Sequence, residues 1–473
     1  MTRRTKIVAT IGPASRDPET MKRMVDAGMD VARLNFSHGT PELHAENVER
    51  LRAAADAAGR PVAVLQDLPG PKLRIGPVEG ETVMLQSDST IHFTCGEEIP
   101  GNATHLSVGH PSLAEAIQPG EVFYLSDGRI RLRAGEVDRE KRSFDAVVEF
   151  GGRVGSRAGL NVPGEANALP SVPDEDLRLL GIGEEIGVDL VALSFVRRAE
   201  DVEVVRRYTR LPLIAKIEKP QAVERAESIA RAADCLMVAR GDLGIELPIE
   251  EVPLAQKHLI SLAGRLARPV ITATQMLDSM VTSSRPTRAE ATDVANAILD
   301  GTDAVMLSQE TAIGEHPVGA IEMMAAIATT TERAIPYQLW NESRVHRDER
   351  DPAYTLAHSA CVAARELGLD ALVIPTLSGR SARLVSAHRP SVPIYALSPG
   401  QETVRRCGLM WGVQASSMPR METTEELIED ACRRVVELGW CQPGQRVGVT
   451  AGLPSGRPGT TSLLQIQTLP SAR

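Results

Sequence analysis

"DVARLNFSHGTPELHAENVERLRAAADAAGRPVAVLQDL", residues 30–68, contains one complete period of the fold. It begins with a short apolar run that ends in polar residues. An amphipathic stretch follows, in which Thr40 can cap a helix, Pro41 sits at its first position and Gly59 closes it. A second apolar run, "PVAVLQDL", comes next. Both runs are nearly continuous in apolar residues, as expected of strands covered on both faces. A helix joining two such strands is a parallel crossover unit.

The period recurs along the chain. Upstream, "KIVATIG" leads into "DPETMKRMVDAG", with Asp17 as cap, Pro18 inside, Met21, Met24 and Val25 on one face and Gly28 at the end. Downstream come "DLVALSF" (189–195), "PLIAKIE" (212–218), "CLMVARG" (235–241), "PVITATQ" (269–275) and "DAVMLSQ" (303–309), each followed by a helical pattern, the last at about 317–333. Eight units predict an α/β fold, a (β/α)8 barrel. The third unit is interrupted between Leu68 and Leu169 by alternating patterns such as "IHFT" and "FDAVVEF", with a turn at Ser126, Asp127 and Gly128. That interruption predicts a small all-β barrel inserted in a βα loop, placed to act as a lid. After about residue 336 the rhythm restarts as a separate α/β domain. The expected division is 1–68 with 170–335 for the barrel, 69–169 for the lid and 336–473 for a C-terminal regulatory domain.

The 473 residues are 42% hydrophobic but only 3% aromatic, so the cores rest on aliphatic side chains. A net charge of −10 disfavours a general nucleic-acid or anionic-membrane binder. No run approaches the roughly 20 apolar residues of a membrane helix. Six cysteines without CxxC or zinc spacing read as reduced, packed thiols of a cytoplasmic protein.

The strand ends carry the chemistry. They hold Thr10, then Arg33, Asn35 and Ser37, then Asp67, Ser194, Lys216 with Glu218, Arg240 with Gly241 and Asp242, Thr274, and finally Ser308 with Glu310. Residues two apart in a strand share a face, so Lys216 and Glu218 stand together at the end of an apolar strand. One such pair alone reads as a structural ion pair. Eight polar ends converging on the C-terminal face of a barrel read as an active site. Glu218 and Asp242 are hard oxygen ligands suited to Mg2+ or Mn2+. Arg33 and Lys216 add positive charge, and the set describes a clamp for a phosphoryl group. Lys219 is expected to face away, into solvent. Asp293 reads as a helix or interface residue.

The segments "TKIVATIGPAS", "DVARLNFSHG", "GPKLRIG", "AKIEKP", "MVARGDLGIELP", "ATQMLDSM", "RPTRAEATDVANAILDG" and "SGRSAR" resemble those of the pyruvate kinase family, in the family's order and over nearly the whole chain. The resemblance implies phosphoryl transfer from phosphoenolpyruvate to ADP. It implies that Glu218 and Asp242 hold the divalent metal, that Lys216 and Arg33 bind the phosphate, and that Gly241, Asp242 and Thr274 hold the carboxylate. Thr274 and Ser308 would relay a proton through water. Pro13, Asn35, His38 and Arg74 would face the nucleotide, with His38 equally readable as a packed histidine. It further implies a homotetramer. "TLSGRSAR" places Thr376, Ser378, Gly379, Arg380 and Ser381 between a strand and a helix, a layout of small hydroxyls, backbone N–H groups and a guanidinium that can cradle a phosphate, so a phosphorylated allosteric effector is expected there, with Ser455 and Arg457 closing the pocket.

Three departures stand out. Gln309 occupies a position that is commonly glycine, Ala158 one that is commonly lysine, and Pro69 precedes "GP" where Lys or Gln is common. A further difference concerns K+, which many members hold near Asn35, Ser37, Asp67 and the carbonyl of the next residue. Here Leu68 and Lys72 replace Thr and Glu, so K+ is expected not to be required. Two other functions compete: a Schiff-base pyruvate aldolase using Lys216, and a non-catalytic metabolite-binding regulator.

Overall fold

The computed structural model describes residues 3–71, 73–126, 128–162, 170–337, 340, 351–452 and 461–470. Lys72, Asp127, Ser455 and Arg457 lie outside the described residues.

The eight apolar runs are the strands of one closed parallel barrel. They are β1 (Lys6–Thr10), β2 (Val31–Asn35), β3 (Ala63–Asp67), β4 (Leu190–Leu193), β5 (Leu213–Ile217), β6 (Cys235–Ala239), β7 (Val270–Ala273) and β8 (Ala304–Leu307). Each neighbours the next in sequence, and β8 pairs with β1 through Lys6–Ala304 to Ala9–Leu307. Alternate residues such as Val8, Val31, Leu65, Ile214, Met237 and Met306 fill the interior. The other face of each strand packs on the surrounding helices, which is why the runs are apolar throughout.

The helix signals act as the sequence suggests. Asp17 Oδ2 accepts from Thr20 N at 3.0 Å, and Thr40 Oγ1 from Leu43 N at 3.3 Å. Gly28 and Gly59 close their helices at φ 119° and 61°, a left-handed conformation favourable to glycine.

The inserted segment has its own core around Phe93, Phe123 and Phe144. Its main sheet has seven strands. A bridge between Ile75 and Val108, with Gly76 N donating to Ser107 O at 2.8 Å, joins the two edges.

The C-terminal domain is a five-stranded sheet made of β9 (Ala371–Pro375), β10 (Ile394–Ser398), β11 (Val413–Ser417), β12 (Arg446–Gly452) and β13 (Thr461–Thr468). The order is β11-β10-β9-β12-β13, with only β13 antiparallel. This domain covers the base of the barrel. Arg389, fully buried, pairs with Asp303 at 2.7 Å, Arg405 pairs with Asp189 at 2.7 Å, and Lys6 Nζ donates to Val413 O at 2.7 Å. All six cysteines are buried and free. Among the described residues no helix is long and apolar enough to cross a membrane.

Candidate active site

Strand geometry brings four charged side chains to one point at the barrel mouth. Arg33, near the end of β2, lies with Nε 2.6 Å from Asp67 Oδ2 and donates to Thr10 Oγ1 at 3.0 Å. Lys216, on β5, has its amine 3.3 Å from Asp67 Oδ1 and 2.9 Å from Glu218 Oε1. The same amine donates to Ser194 Oγ at 2.7 Å, and Ser194 in turn donates to the carbonyl of Leu68 at 2.7 Å. Lys216 is thus fixed from three sides, and Asp67 is shared by both cations.

Burial raises the cost of every charge here, so the partners decide the ionisation. For Asp67, burial pushes upward, but Lys216 and Arg33 outweigh it and hold the carboxyl below its usual range. For Lys216, burial pulls downward, and Asp67, Glu218 and Asp242 hold the amine above the ordinary lysine value. Glu218 is raised, by burial and by the facing charge of Asp242, against the pull of Lys216. A buried carboxylate that faces a second carboxylate forms a ready divalent-cation site. One oxygen of Glu218 is already oriented by Phe195 N–H at 2.7 Å, with Phe195 itself at φ 56°. Among the described residues no cluster of three or more His, Cys, Asp or Glu side chains is placed to hold a metal. Two hard oxygen donors, Glu218 and Asp242, fit an ion completed by substrate oxygens and water, the usual manner of Mg2+.

Asp242 and Gly241 open the short helix Arg240–Glu246 beyond β6. Thr274, past β7, accepts from Gly241 N at 2.7 Å and donates to Ala273 O at 2.6 Å. Its φ is 71°, and Gln275 follows at 54°. A β-branched residue at positive φ is strained, and such strain concentrates at working sites. Ser308 follows β8, and its N–H donates to Glu310 Oε2 at 2.6 Å. Glu310 also accepts from Leu277 N at 3.1 Å, so it is a buried brace between the ends of β7 and β8 and does not face the mouth.

Other residues from the sequence reading fall less centrally. Asn35 Oδ1 accepts from Ser37 N at 3.1 Å, which orders the turn after β2. Pro13 and His38 are exposed, and Arg74 Nη1 donates to Arg157 O at 3.2 Å on the lid edge. The packed histidine of this region is His44, stacked on Phe36 at 4.0 Å and donating through Nε2 to the His38 carbonyl, 2.9 Å away. Leu68 is buried and takes part through its carbonyl. Arg240 points sideways to Asp293 at 2.6 Å and to the Thr274 carbonyl at 2.7 Å, and so supports β7 instead of contributing charge to the mouth. Gln309 is exposed and begins a helical turn without positive φ, so the missing glycine requires no special backbone there.

The expectation that Lys219 is solvated is wrong. Lys219 is 1% exposed and ion-paired with Glu246. It follows β5 and turns under the Arg240–Glu246 helix, where no water reaches it. Asp176 is another residue that the sequence reading missed. Its carboxylate accepts from Gly70 N at 3.2 and 3.1 Å, and burial pushes it up to about 7. It lies beside the first lid connection, 106 residues away in sequence from its partner.

A family model described as pyruvate kinase, barrel domain, matches residues 2–321, and one described as pyruvate kinase, alpha/beta domain, matches residues 354–467. The chain belongs to the pyruvate kinase family. A pyruvate kinase of Geobacillus stearothermophilus is 42% identical over 99% of this chain and 81% of its own length. One from Agrobacterium vitis is 41% identical over 98% of both. The crystal structure of a pyruvate kinase from Cryptosporidium parvum superposes with a TM-score of 0.91 at 33% identity, covering 99% of this chain and 96% of that one.

Proposed function

We propose that the barrel mouth transfers the phosphoryl group of phosphoenolpyruvate to ADP, giving pyruvate and ATP, the last step of glycolysis. The observation that carries this reading is the Lys216 amine, fixed by Asp67, Glu218 and Ser194 beside Arg33 and two metal-type carboxylates. Lys216 and Arg33 bind the phosphate, and Lys216 stabilises the charge of the phosphoryl group in flight. Glu218 and Asp242 would hold Mg2+ or Mn2+, which supplies Lewis-acid charge on the phosphoryl oxygens. The carboxylate of the substrate takes the N–H groups of Gly241 and Asp242, with Thr274 releasing its bond to Gly241. Thr274 and Ser308 then lie where a proton can be passed through water to enolpyruvate. The lid edge at Arg74, with Pro13, Asn35 and His38, faces the nucleotide.

A Schiff-base aldolase needs a neutral lysine amine. The partners of Lys216 hold it in the ammonium form, which opposes that chemistry. Pyruvate formation from phosphoenolpyruvate and ADP with Mg2+, measured in a coupled assay, tests the function. Absence of turnover together with borohydride trapping of pyruvate on Lys216 would favour the aldolase. Absence of both would favour a non-catalytic regulator. We place the enzyme in the cytoplasm as a homotetramer, on the family resemblance.

Monovalent ions are not needed in this reading. Both oxygens of Asp67 already face protein cations, and the Leu68 carbonyl is occupied by Ser194. Near-full activity is expected with Mg2+ and tetramethylammonium salts alone, and Lys72→Glu is expected to create dependence on added K+. Strong K+ activation of the unmodified protein would overturn this.

The C-terminal domain would take a phosphorylated effector, a monophosphate such as AMP or a sugar phosphate, at the turn from β9 into the helix Arg380–Ala387. Gly379 there is at φ 82°, and its N–H donates to Thr376 Oγ1 at 3.0 Å. Ser381 Oγ lies 2.6 Å from Thr461 Oγ1, Ser378 is exposed, and Arg380 pairs with Asp351. Arg380 would exchange Asp351 for the phosphate. Arg380→Ala is expected to abolish activation by such ligands without lowering basal turnover, and unaltered activation curves would remove the site.

A further inference from the structure

The buried pair formed by Lys219 and Glu246 has no part in the chemistry above, yet it lies between three elements that do. Lys219 directly follows the metal-type ligand Glu218, and Glu246 lies one turn beyond Asp242 on the short helix Arg240–Glu246. The ion pair therefore ties the backbone that carries one carboxylate to the backbone that carries the other. Both side chains are withdrawn from water, at 2% and 1% exposure. Burying two charges costs several kcal/mol per ion before they attract each other, so an apolar pair would hold the helix as well. What the ions add is a charged acceptor in a dry place.

The lid uses that acceptor. Asn161, on the strand Gly159–Asn161 that returns from the lid, donates through Nδ2 to Glu246 Oε1 at 3.0 Å. A second lid segment reaches the neighbouring residue. A Cβ at Gly128 would lie 3.2 Å from Ile245 Cγ1, so the lid turn rests on the same helix. Between these contacts lies a cleft of about 740 Å³, bordered by Tyr124 of the lid and by Gly241 and Glu246 of the helix. The remaining oxygen of Glu246, Oε2, is buried and receives no hydrogen bond.

We propose that Asn161, Glu246 and Lys219 form a latch through which the closed lid sets the Arg240–Glu246 helix, and with it Asp242 and the N–H of Gly241, relative to Glu218. Asn161 and Glu246 are positioning residues: they act through the metal ligands and touch no reacting atom. Lid closure and completion of the divalent site are one event, because the hydrogen bond that closes the lid ends on the ion pair that spaces the ligands. The proposal rests on the function proposed above.

The test compares the full-length protein with Asn161→Ala and Asn161→Asp. The alanine variant removes the donor and leaves the buried ion pair untouched. The aspartate variant is nearly isosteric and places a carboxylate against Glu246. A hydrogen bond to a charged group is involved, so Asn161→Ala should raise the Mg2+ concentration for half-maximal activity about tenfold and lower kcat by a similar factor. Asn161→Asp should lose more, since like charges then oppose closure. Without ligands, backbone amides of residues 240–247 should exchange with deuterium about tenfold faster in Asn161→Ala, while amides of β1 and β8 keep their rates. If both variants match the unmodified enzyme in Mg2+ response and in exchange at 240–247, the latch is overturned. A lowered melting temperature with neither change overturns it as well, since that is a structural role only. Should Asn161→Asp fail to fold, the alanine variant alone decides. Lack of pyruvate formation by the unmodified protein would defeat the functional reading instead, and the exchange data would still report on the contact.

Discussion

Lys216→Ala is expected to lower kcat by about 10²–10³, the effect of removing one preorganised charge contact from a transition state. The expectation is large because the amine has no substitute. Arg33 already has its own place at the phosphate, fixed by Asp67 and Thr10, and Arg240 is committed to Asp293 and to the Thr274 carbonyl just past β7. Removing Lys216 also leaves Asp67 and Glu218 facing each other with one cation fewer, so the mouth becomes repulsive to a phosphate. The fold should persist, since the truncated side chain lies at the open end of the barrel with apolar residues beneath it. Turnover above about a tenth of the unmodified rate, in a protein of unchanged melting temperature, would remove Lys216 from its role.

Glu218→Gln and Asp242→Asn are expected to weaken divalent-cation binding by about 10–100-fold or more, the scale on which even indirect partners of a metal matter. Both changes keep shape and remove an anionic oxygen. Glu218→Gln should be the more damaging, because Glu218 is buried and also balances Lys216, whereas Asp242 is part-exposed. Titration of Mn2+ followed by electron paramagnetic resonance reads the affinity directly, and the Mg2+ dependence of turnover should shift in parallel. Unchanged Mn2+ affinity in both variants would place the metal elsewhere.

The barrel was legible because its signals are local. Each strand is a short apolar run, the helices Pro18–Ala27, Pro41–Ala58 and Arg288–Asp300 carry their own caps, and the polar residue at each strand end lies within a few positions of the run it terminates. Lys216 and Glu218 could be placed on one face by alternation alone, and the structure puts them 2.9 Å apart. Lys219 could not be read this way. Alternation turns it away from the barrel interior, but at this strand end the outward side is roofed by another helix and by the lid. Its partner Glu246 is 27 residues further on. Glu246 takes its lid contact from Asn161, 85 residues before it. Arg240 shows the same limit. Its place at a strand end is local, while its direction is set by Asp293, 53 residues downstream. The lid connection escaped notice too, because Asp176 meets Gly70 only when the inserted domain has folded back.

The floor of the barrel has a consequence of its own. Lys6 lies on the interior face of β1, two residues below Val8, and its ammonium is completed by the Val413 carbonyl of the C-terminal domain. Asp189 and Asp303, at the lower ends of β4 and β8, take Arg405 and Arg389 from that domain. The catalytic barrel thus lacks a bottom of its own and borrows one. The three parts of the chain differ in how far they can be separated. The lid stands on two connections with its own aromatic core, whereas the barrel and the C-terminal domain are joined by the ion pairs Arg389–Asp303 and Arg405–Asp189. A chain cut between them would expose unpaired ions in place of an unregulated enzyme. Deletion of the C-terminal domain would therefore disturb the barrel floor as well, and point changes such as Arg380→Ala are the cleaner probe of the effector pocket proposed above.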